Sequence, residues 1–176
     1  ALDLNGIYQT HNILTVLAAC DVMRHIGWVI EETHIHAAVK KVKTLTGLMG
    51  RWDIIHHNPT IVLEVAHNEP GFLEVLKQLE LTKYTNLHIV IGVVKDKDPG
   101  KLINLLPKTA HYYFTQAHIP RAMPAGELQV LCAERNLRGG TYENVNLAIA
   151  AAKQKAQADD LILVCGSIFL VAEVNH

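Results

Sequence analysis

The sequence predicts an α/β fold: a mostly parallel sheet with helices on both faces, preceded by a short all-helical stretch. Two observations carry this. Up to about residue 42 the apolar residues recur only at helical spacing, whereas from residue 53 onward short β-branched runs alternate with helical patterns. Repetition of strand, helix and strand builds a parallel sheet, because parallel neighbours need a long crossover, and the crossover helices cover the sheet.

The elements follow in order. In residues 10–24, Ile13, Leu14, Leu17, Ala18 and Val22 stand three and four apart, which predicts a helix with one buried face. A second helix is expected over 32–42, with Ile35, Ala38, Val39 and Val42 as its stripe, and it gives way to the turn-rich residues 44–50. The domain boundary is placed there, dividing residues 1–46 from 47–176. Residues 53–57 and 60–65 read as a hairpin turned by Asn58-Pro59. Helix 70–79, strand 87–94, helix 99–106 and strand 111–115 come next, then helices 124–136 and 143–157, strand 161–164 and a helical-looking 168–174. Pro99 and Pro124 stand near helix starts, where a missing amide proton costs nothing.

Composition bounds the partners. A chain of 176 residues that is 49% hydrophobic and 19% charged belongs with ordered globular proteins. Its net charge of −1, with no long run of one sign, gives no bulk attraction to nucleic acid or an anionic membrane, so neither partner is expected. The longest apolar runs, 161–165 and 168–172, fall far short of the about 20 residues of a membrane span. No basic-then-apolar leader opens the chain, so no export signal is expected. Cys20, Cys132 and Cys165 are widely spaced in apolar surroundings, which suits buried thiols of a reducing compartment, and the cytoplasm is the expected location. The chain begins at Ala1, not at a methionine, and is expected to be part of a longer polypeptide.

Chemistry is expected where the strands end, since open parallel sheets bind ligands at their carboxyl edge. Polar groups cluster there four times: Ala66-His67-Asn68, Lys95-Asp96-Lys97-Asp98, Thr115-Gln116 and Gly166-Ser167. His67 and Asn68 offer a ring nitrogen and an amide to a carboxylate or ribose, although Asn68 alone reads equally as a helix cap. Gly166-Ser167 aims amides and a hydroxyl at an anion, or is a plain capping serine. The eleven histidines do not form a metal pattern: His34 and His36 fall on different faces of a helix, His56 and His57 on opposite sides of a strand, and His-Glu-x-x-His and Cys-x-x-Cys are absent. No Gly-x-Ser-x-Gly elbow and no phosphate-binding Gly-x-x-x-x-Gly-Lys-Ser/Thr loop is encoded.

Six short motifs, in this order, carry a family resemblance: Gly6-Ile7-Tyr8-Gln9-Thr10-His11-Asn12; Gly50-Arg51-Trp52; Leu63-Glu64-Val65-Ala66-His67-Asn68; Gly92-Val93-Val94-Lys95-Asp96-Lys97-Asp98; Thr115-Gln116 with Pro120-Arg121-Ala122; and Gly166-Ser167-Ile168-Phe169-Leu170-Val171. In order and spacing they resemble the carboxyl-terminal portion of folylpolyglutamate synthases and dihydrofolate synthases, ATP-dependent amide ligases of the Mur ligase superfamily. The resemblance implies a Rossmann-like domain preceded by helices that end a central ATPase domain. It also implies a reaction in which ATP and Mg2+ activate a folate or dihydropteroate carboxylate as an acyl phosphate, from which L-glutamate displaces phosphate. By the same resemblance Asn12 lies near the adenine, Arg51 reaches the ATP phosphates, Glu64 contacts nucleotide or glutamate, and His67 and Ser167 hold glutamate. Glu64 stands where the family has an aspartate, and Glu69 where a proline often follows the asparagine. The P-loop, the magnesium-binding carbamylated lysine and the pterin-binding loops belong upstream of this chain, whose partner is then the upstream ATPase domain of the same polypeptide. A monomer without ligase turnover of its own is expected. A peptidoglycan amino-acid ligase and a non-catalytic α/β binding module are the competing readings.

Overall fold

The structure is a computed structural model that describes residues 2–95 and 99–175. It separates into two compact units that divide between Asp53 and Ile54.

The first unit is helical, with α1 (Gln9–His25), α2 (Glu32–Val39) and α3 (Val42–Thr46). One helix was expected over 32–42, and two are found. Lys41 leaves the helical region at φ −135°, ψ 26°, and Asp3 bridges the break. Its carboxylate accepts from the Lys43 amide at 2.9 Å, and its own amide donates to the Val39 carbonyl at 2.9 Å. One bond satisfies an orphan amide at the start of α3 and the other a carbonyl at the end of α2. The Lys43 ammonium pairs with Asp53 at 2.6 Å. The buried face expected of α1 is also corrected: Leu14 is 63% exposed and Val22 62%, and Gln9 is the residue of α1 that is buried. Apolar spacing reports an amphipathic helix, but burial needs an opposing surface along the whole stripe, and Leu14 and Val22 remain exposed. Ile13 and Val16 instead border an apolar cavity of about 340 Å3 shared with Val39, Val42 and Leu45.

The second unit is built on a six-stranded sheet. Its strands are β1 (Arg51–His56), which runs across the division, β2 (Thr60–Glu64), β3 (Leu87–Ile91), β4 (His111–Phe114), β5 (Gly139–Thr141) and β6 (Leu161–Cys165). Their order is β1-β2-β6-β3-β4-β5. All pairings from β2 to β5 are parallel, with Leu63 beside Val164 and Val90 beside Val164 and Tyr113. The expected hairpin supplies the outer strand β1. The crossovers are α4 (Glu69–Glu80), α5 (Pro99–Leu105), α6 (Ala125–Ala133) and α7 (Val145–Lys155), and α8 (Ile168–Val171) follows β6. From β2 through β5 the chain moves one way across the sheet, and from β5 to β6 it moves back. Right-handed crossovers therefore put α4, α5 and α6 on one face and α7 on the other. Strand alternation matches: Ile61, Leu63, Val90, Ile162 and Val164 share a core with Val145, Ala148 and Ala152 of α7. The expected α/β class, mostly parallel with helices on both faces, is the one observed.

The three-residue strand β5 was not anticipated. Two of its residues are glycines with no apolar signal, and a Cβ at Gly139 would collide with the Tyr112 carbonyl of β4, so close pairing excludes any larger residue. At the amino edge of the sheet, His88, Tyr113 and Asp160 form a buried polar network. His88 Nδ1 lies 3.0 Å from Tyr113 Oη and Nε2 3.3 Å from Asp160 Oδ2. Asp160 also accepts from the Gln157 amide and from the amide and side chain of Asn86. Cys132 and Cys165 are buried and Cys20 is half-buried. No described helix is long and apolar enough to cross a membrane.

Candidate functional site

Every parallel strand delivers its next residues to one edge. Gly166 follows β6 at φ +103°, and a Cβ there would lie 2.6 Å from the Gly92 carbonyl; a Cβ on Gly92 would lie 2.7 Å from that of Thr115. The ends of β6, β3 and β4 thus touch through bare backbone, which leaves this rim shallow. Beyond β3 the chain is pinned to the segment before α6: the Lys95 amide donates to Arg121 and the Met123 amide to Val93, both at 2.9 Å, around a Val94–Ala122 bridge.

On this rim sits a cavity of about 290 Å3. His67, Asn68 and Glu69 line it from the start of α4, Gly166 from the end of β6, and Val93, Val94, Pro99 and Lys101 from β3 and α5. Because β6 lies between β2 and β3, the His67 and Lys101 segments flank the Gly166 turn.

Each side chain is held for a local reason. The His67 Nδ1 lies 3.0 Å from the Val65 carbonyl. A carbonyl can only accept, so Nδ1 is the donor of this contact, which leaves Nε2 as the ring nitrogen that carries a lone pair whenever the ring is neutral. Asn68 caps α4, accepting from the Gly71 amide at 2.9 Å, so the capping reading holds for it. Ser167 is 4% exposed and its Oγ accepts from the Phe169 amide at 3.2 Å; its hydroxyl proton is still available as a donor. Gln116 anchors α6 through the Ala125 amide at 2.9 Å. Glu64 is 2% exposed, and its carboxylate accepts from the Ala66 amide at 3.1 Å. Burial, with the neighbouring Glu64 charge, pushes the Cys165 thiol well above its ordinary range, so it stays neutral. The Thr115 hydroxyl is buried and has no hydrogen-bond partner among the described residues.

His67 and Ser167 therefore stand at one edge of the sheet, after neighbouring strands. Asn12 and Arg51 belong to the first unit. Asn12 donates to the Gln9 side chain at 2.9 Å and borders the apolar cavity of that unit. Arg51 is half-buried and forms no ion pair among the described residues. Asp96, Lys97 and Asp98, the acidic and basic centre of the second cluster, lie outside the described residues. Glu69 and Lys101 were not anticipated as cavity residues. The segment that directly follows β3 ends by Asp98, and a lysine in the first turn of the next helix has no motif to mark it.

A parallel sheet with this rim and these loops is the architecture of the Mur ligase carboxyl-terminal domain, and residues 50–168 match the family described as Mur ligase, glutamate ligase domain. The chain belongs to that family. It is 30% identical over 99% of its length to a Haloferax volcanii protein named "Probable bifunctional folylpolyglutamate synthase/dihydropteroate synthase", and covers 20% of it. It is 32% identical over 93% of its length to the dihydrofolate synthase/folylpolyglutamate synthase of Escherichia coli, and covers 36% of it. The Mycobacterium tuberculosis folylpolyglutamate synthase, solved with ADP and AMPPCP, superposes with a TM-score of 0.80 at 25% identity, over 97% of this chain and 40% of that one. The chain thus spans well under half the length of these relatives.

Proposed function

We propose that this chain is the carboxyl-terminal part of an ATP-dependent acid–amino-acid ligase that joins L-glutamate to the carboxylate of folate or dihydropteroate. The polypeptide is a cytoplasmic monomer, in which residues 1–46 end the upstream ATPase domain and 47–176 form the glutamate ligase domain. The observation that carries this reading is the cavity between His67 and Gly166 on the carboxyl edge, in a chain whose relatives are named for this chemistry.

ATP, when bound, supplies the phosphoryl group that activates the acceptor carboxylate. The residues of this chain hold and orient. The Arg51 guanidinium, without an ion pair among the described residues, suits phosphate oxygens on which charge develops. The lone pair on His67 Nε2 receives an N–H of the incoming amino group and so positions the nucleophile, while the Ser167 hydroxyl donates to a glutamate carboxylate. Asn12, beside an apolar cavity, suits the edge of an adenine. Glu64 sets a negative charge beneath the rim, toward nucleotide or glutamate. No group of three or more His, Cys, Asp or Glu among the described residues could hold a metal ion. We assign the magnesium site to the part of the polypeptide outside this chain.

The test is phosphate release by the full-length polypeptide. Release that requires ATP, L-glutamate and either folate or dihydropteroate is expected, and the 176-residue chain alone is expected to release none, since it encodes no P-loop. A full-length protein that ignores pteridine substrates and instead uses a peptidoglycan precursor would overturn the folate reading.

A further inference from the structure

The cavity on the rim carries opposite charges on its two sides. On the α4 side stand two groups that accept hydrogen bonds, the exposed Glu69 carboxylate and the His67 Nε2; on the α5 side stands the exposed Lys101 ammonium. Glu69 and Lys101 are not paired with each other, and neither forms an ion pair among the described residues. Gly166 and the apolar residues Val93, Val94 and Leu102 also line the cavity. One accepting wall, one donating wall and an apolar lining complement a zwitterion whose charges are separated by a short carbon chain.

We propose that Lys101 recognises the side-chain carboxylate of the incoming amino acid and that Glu69 receives its ammonium, which makes Lys101 the residue that selects an acidic amino acid. The assignment follows from geometry. An α-amino acid carries its ammonium and α-carboxylate on one carbon, so when the ammonium lies on the Glu69 and His67 wall, the α-carboxylate lies close beside it. The carboxylate that reaches the opposite wall is the distal one. The reverse orientation would put a carboxylate against Glu69, where like charges repel. This inference rests on the ligase reading above and names the group that sets its amino-acid preference.

The experiment uses the full-length ligase with L-glutamate and with L-glutamine, whose distal group is a neutral amide of the same shape. Lys101→Met is expected to raise the KM for glutamate about ten-fold or more, the loss typical of a hydrogen bond to a charged group, with kcat little changed. Glutamine is expected to be used no worse than by the wild type, so the preference for glutamate collapses, and Lys101→Arg should restore most of it. Glu69→Gln should weaken glutamate and glutamine alike, because both carry the ammonium. A purely structural role for Lys101 would impair both amino acids equally. An active wild type whose Lys101→Met variant keeps its glutamate KM within about two-fold, or loses both amino acids in parallel, overturns this inference alone. A wild type with no glutamate-dependent turnover overturns the ligase reading, and this inference with it.

Discussion

Removing Asp160 is the sharpest test of what holds the sheet together at the edge opposite the cavity. The residue is 2% exposed, and its two oxygens receive the Gln157 amide at 2.8 Å, the Asn86 amide at 2.9 Å, the Asn86 side chain at 3.0 Å and His88 Nε2 at 3.3 Å. Asn86 and Gln157 are exposed residues whose donors can turn partly to water, whereas His88 is 3% exposed and cannot. Asp160→Ala therefore strands one fully buried donor, at about 1–3 kcal/mol, and weakens two backbone contacts by about 1 kcal/mol each or less; about 3 kcal/mol in total is expected because the losses share partners. Asp160→Asn keeps the shape and the oxygen facing Asn86. His88 can answer the introduced NH2 by moving its proton to Nδ1, toward Tyr113 Oη, so the Gln157 amide and the hydroxyl proton of Tyr113 lose their acceptors, at about 2 kcal/mol in total. Urea unfolding of the 176-residue chain, followed by far-ultraviolet circular dichroism with the slope checked for constancy, measures both. A cost below about 1 kcal/mol for Asp160→Ala, or an asparagine variant no more stable than the alanine one, would refute the reasoning.

The same network predicts a pH dependence. Burial holds the His88 imidazole below its ordinary value despite the opposing Asp160, so the unfolded chain takes up a proton near pH 6.5 that the folded chain resists, and stability falls as pH drops through that value. Asp160 is also held below its ordinary value. Its burial pushes the other way but is outweighed by the hydrogen bonds from Gln157, Asn86 and His88, so a second loss sets in below about pH 4. Urea midpoints that stay flat from pH 8 to pH 5.5 would contradict the first claim, and His88→Asn should flatten that part of the curve. Gly166→Ala is expected to cost at least about 2 kcal/mol in the same assay, from a strained φ of +103° and a Cβ 2.6 Å from the Gly92 carbonyl, and an unchanged midpoint would sink the close approach. In the full-length ligase, Arg51→Ala should lower kcat by about 3 kcal/mol in barrier terms, whereas His67→Ala should raise the KM for glutamate; the reverse pattern would exchange their assigned roles.

Most of the second unit was legible because its signals are local. Runs such as Leu161–Cys165 and Leu87–Ile91 have every residue buried, as expected of strands covered on both faces; the first reads as an unbroken apolar stretch and the second as one interrupted by His88. What escaped notice depends on contacts distant in sequence. The break between α2 and α3 is held by Asp3, which lies 40 residues before Lys43, and β5 exists because Gly139 fits against Tyr112, not because its own residues favour a strand. The α1 stripe failed in the opposite direction. Its spacing gave the helix correctly, but exposure depends on what faces the stripe, and no property of residues 10–24 contains that information.

The site divides along the same line. His67 and Ser167 could be placed at one edge of the sheet because each follows a parallel strand, and the topology that makes β2 and β6 neighbours also makes their next residues neighbours on the rim. Glu69 and Lys101 could not, since they come from two helices that face the Gly166 turn only after β6 has inserted between β2 and β3. Strand order is therefore the step that converts separate weak signals into one cavity. The last strand of the chain enters the middle of a sheet whose other strands precede it in sequence, so the cavity on the rim is complete only when β6 is in place. A substitution that loosens β6, such as Asp160→Ala at its amino end, should then weaken glutamate binding in the full-length ligase through stability alone. It should act on the fraction of competent molecules and leave the glutamate to glutamine ratio unchanged, whereas Lys101→Met should change that ratio without changing the unfolding midpoint.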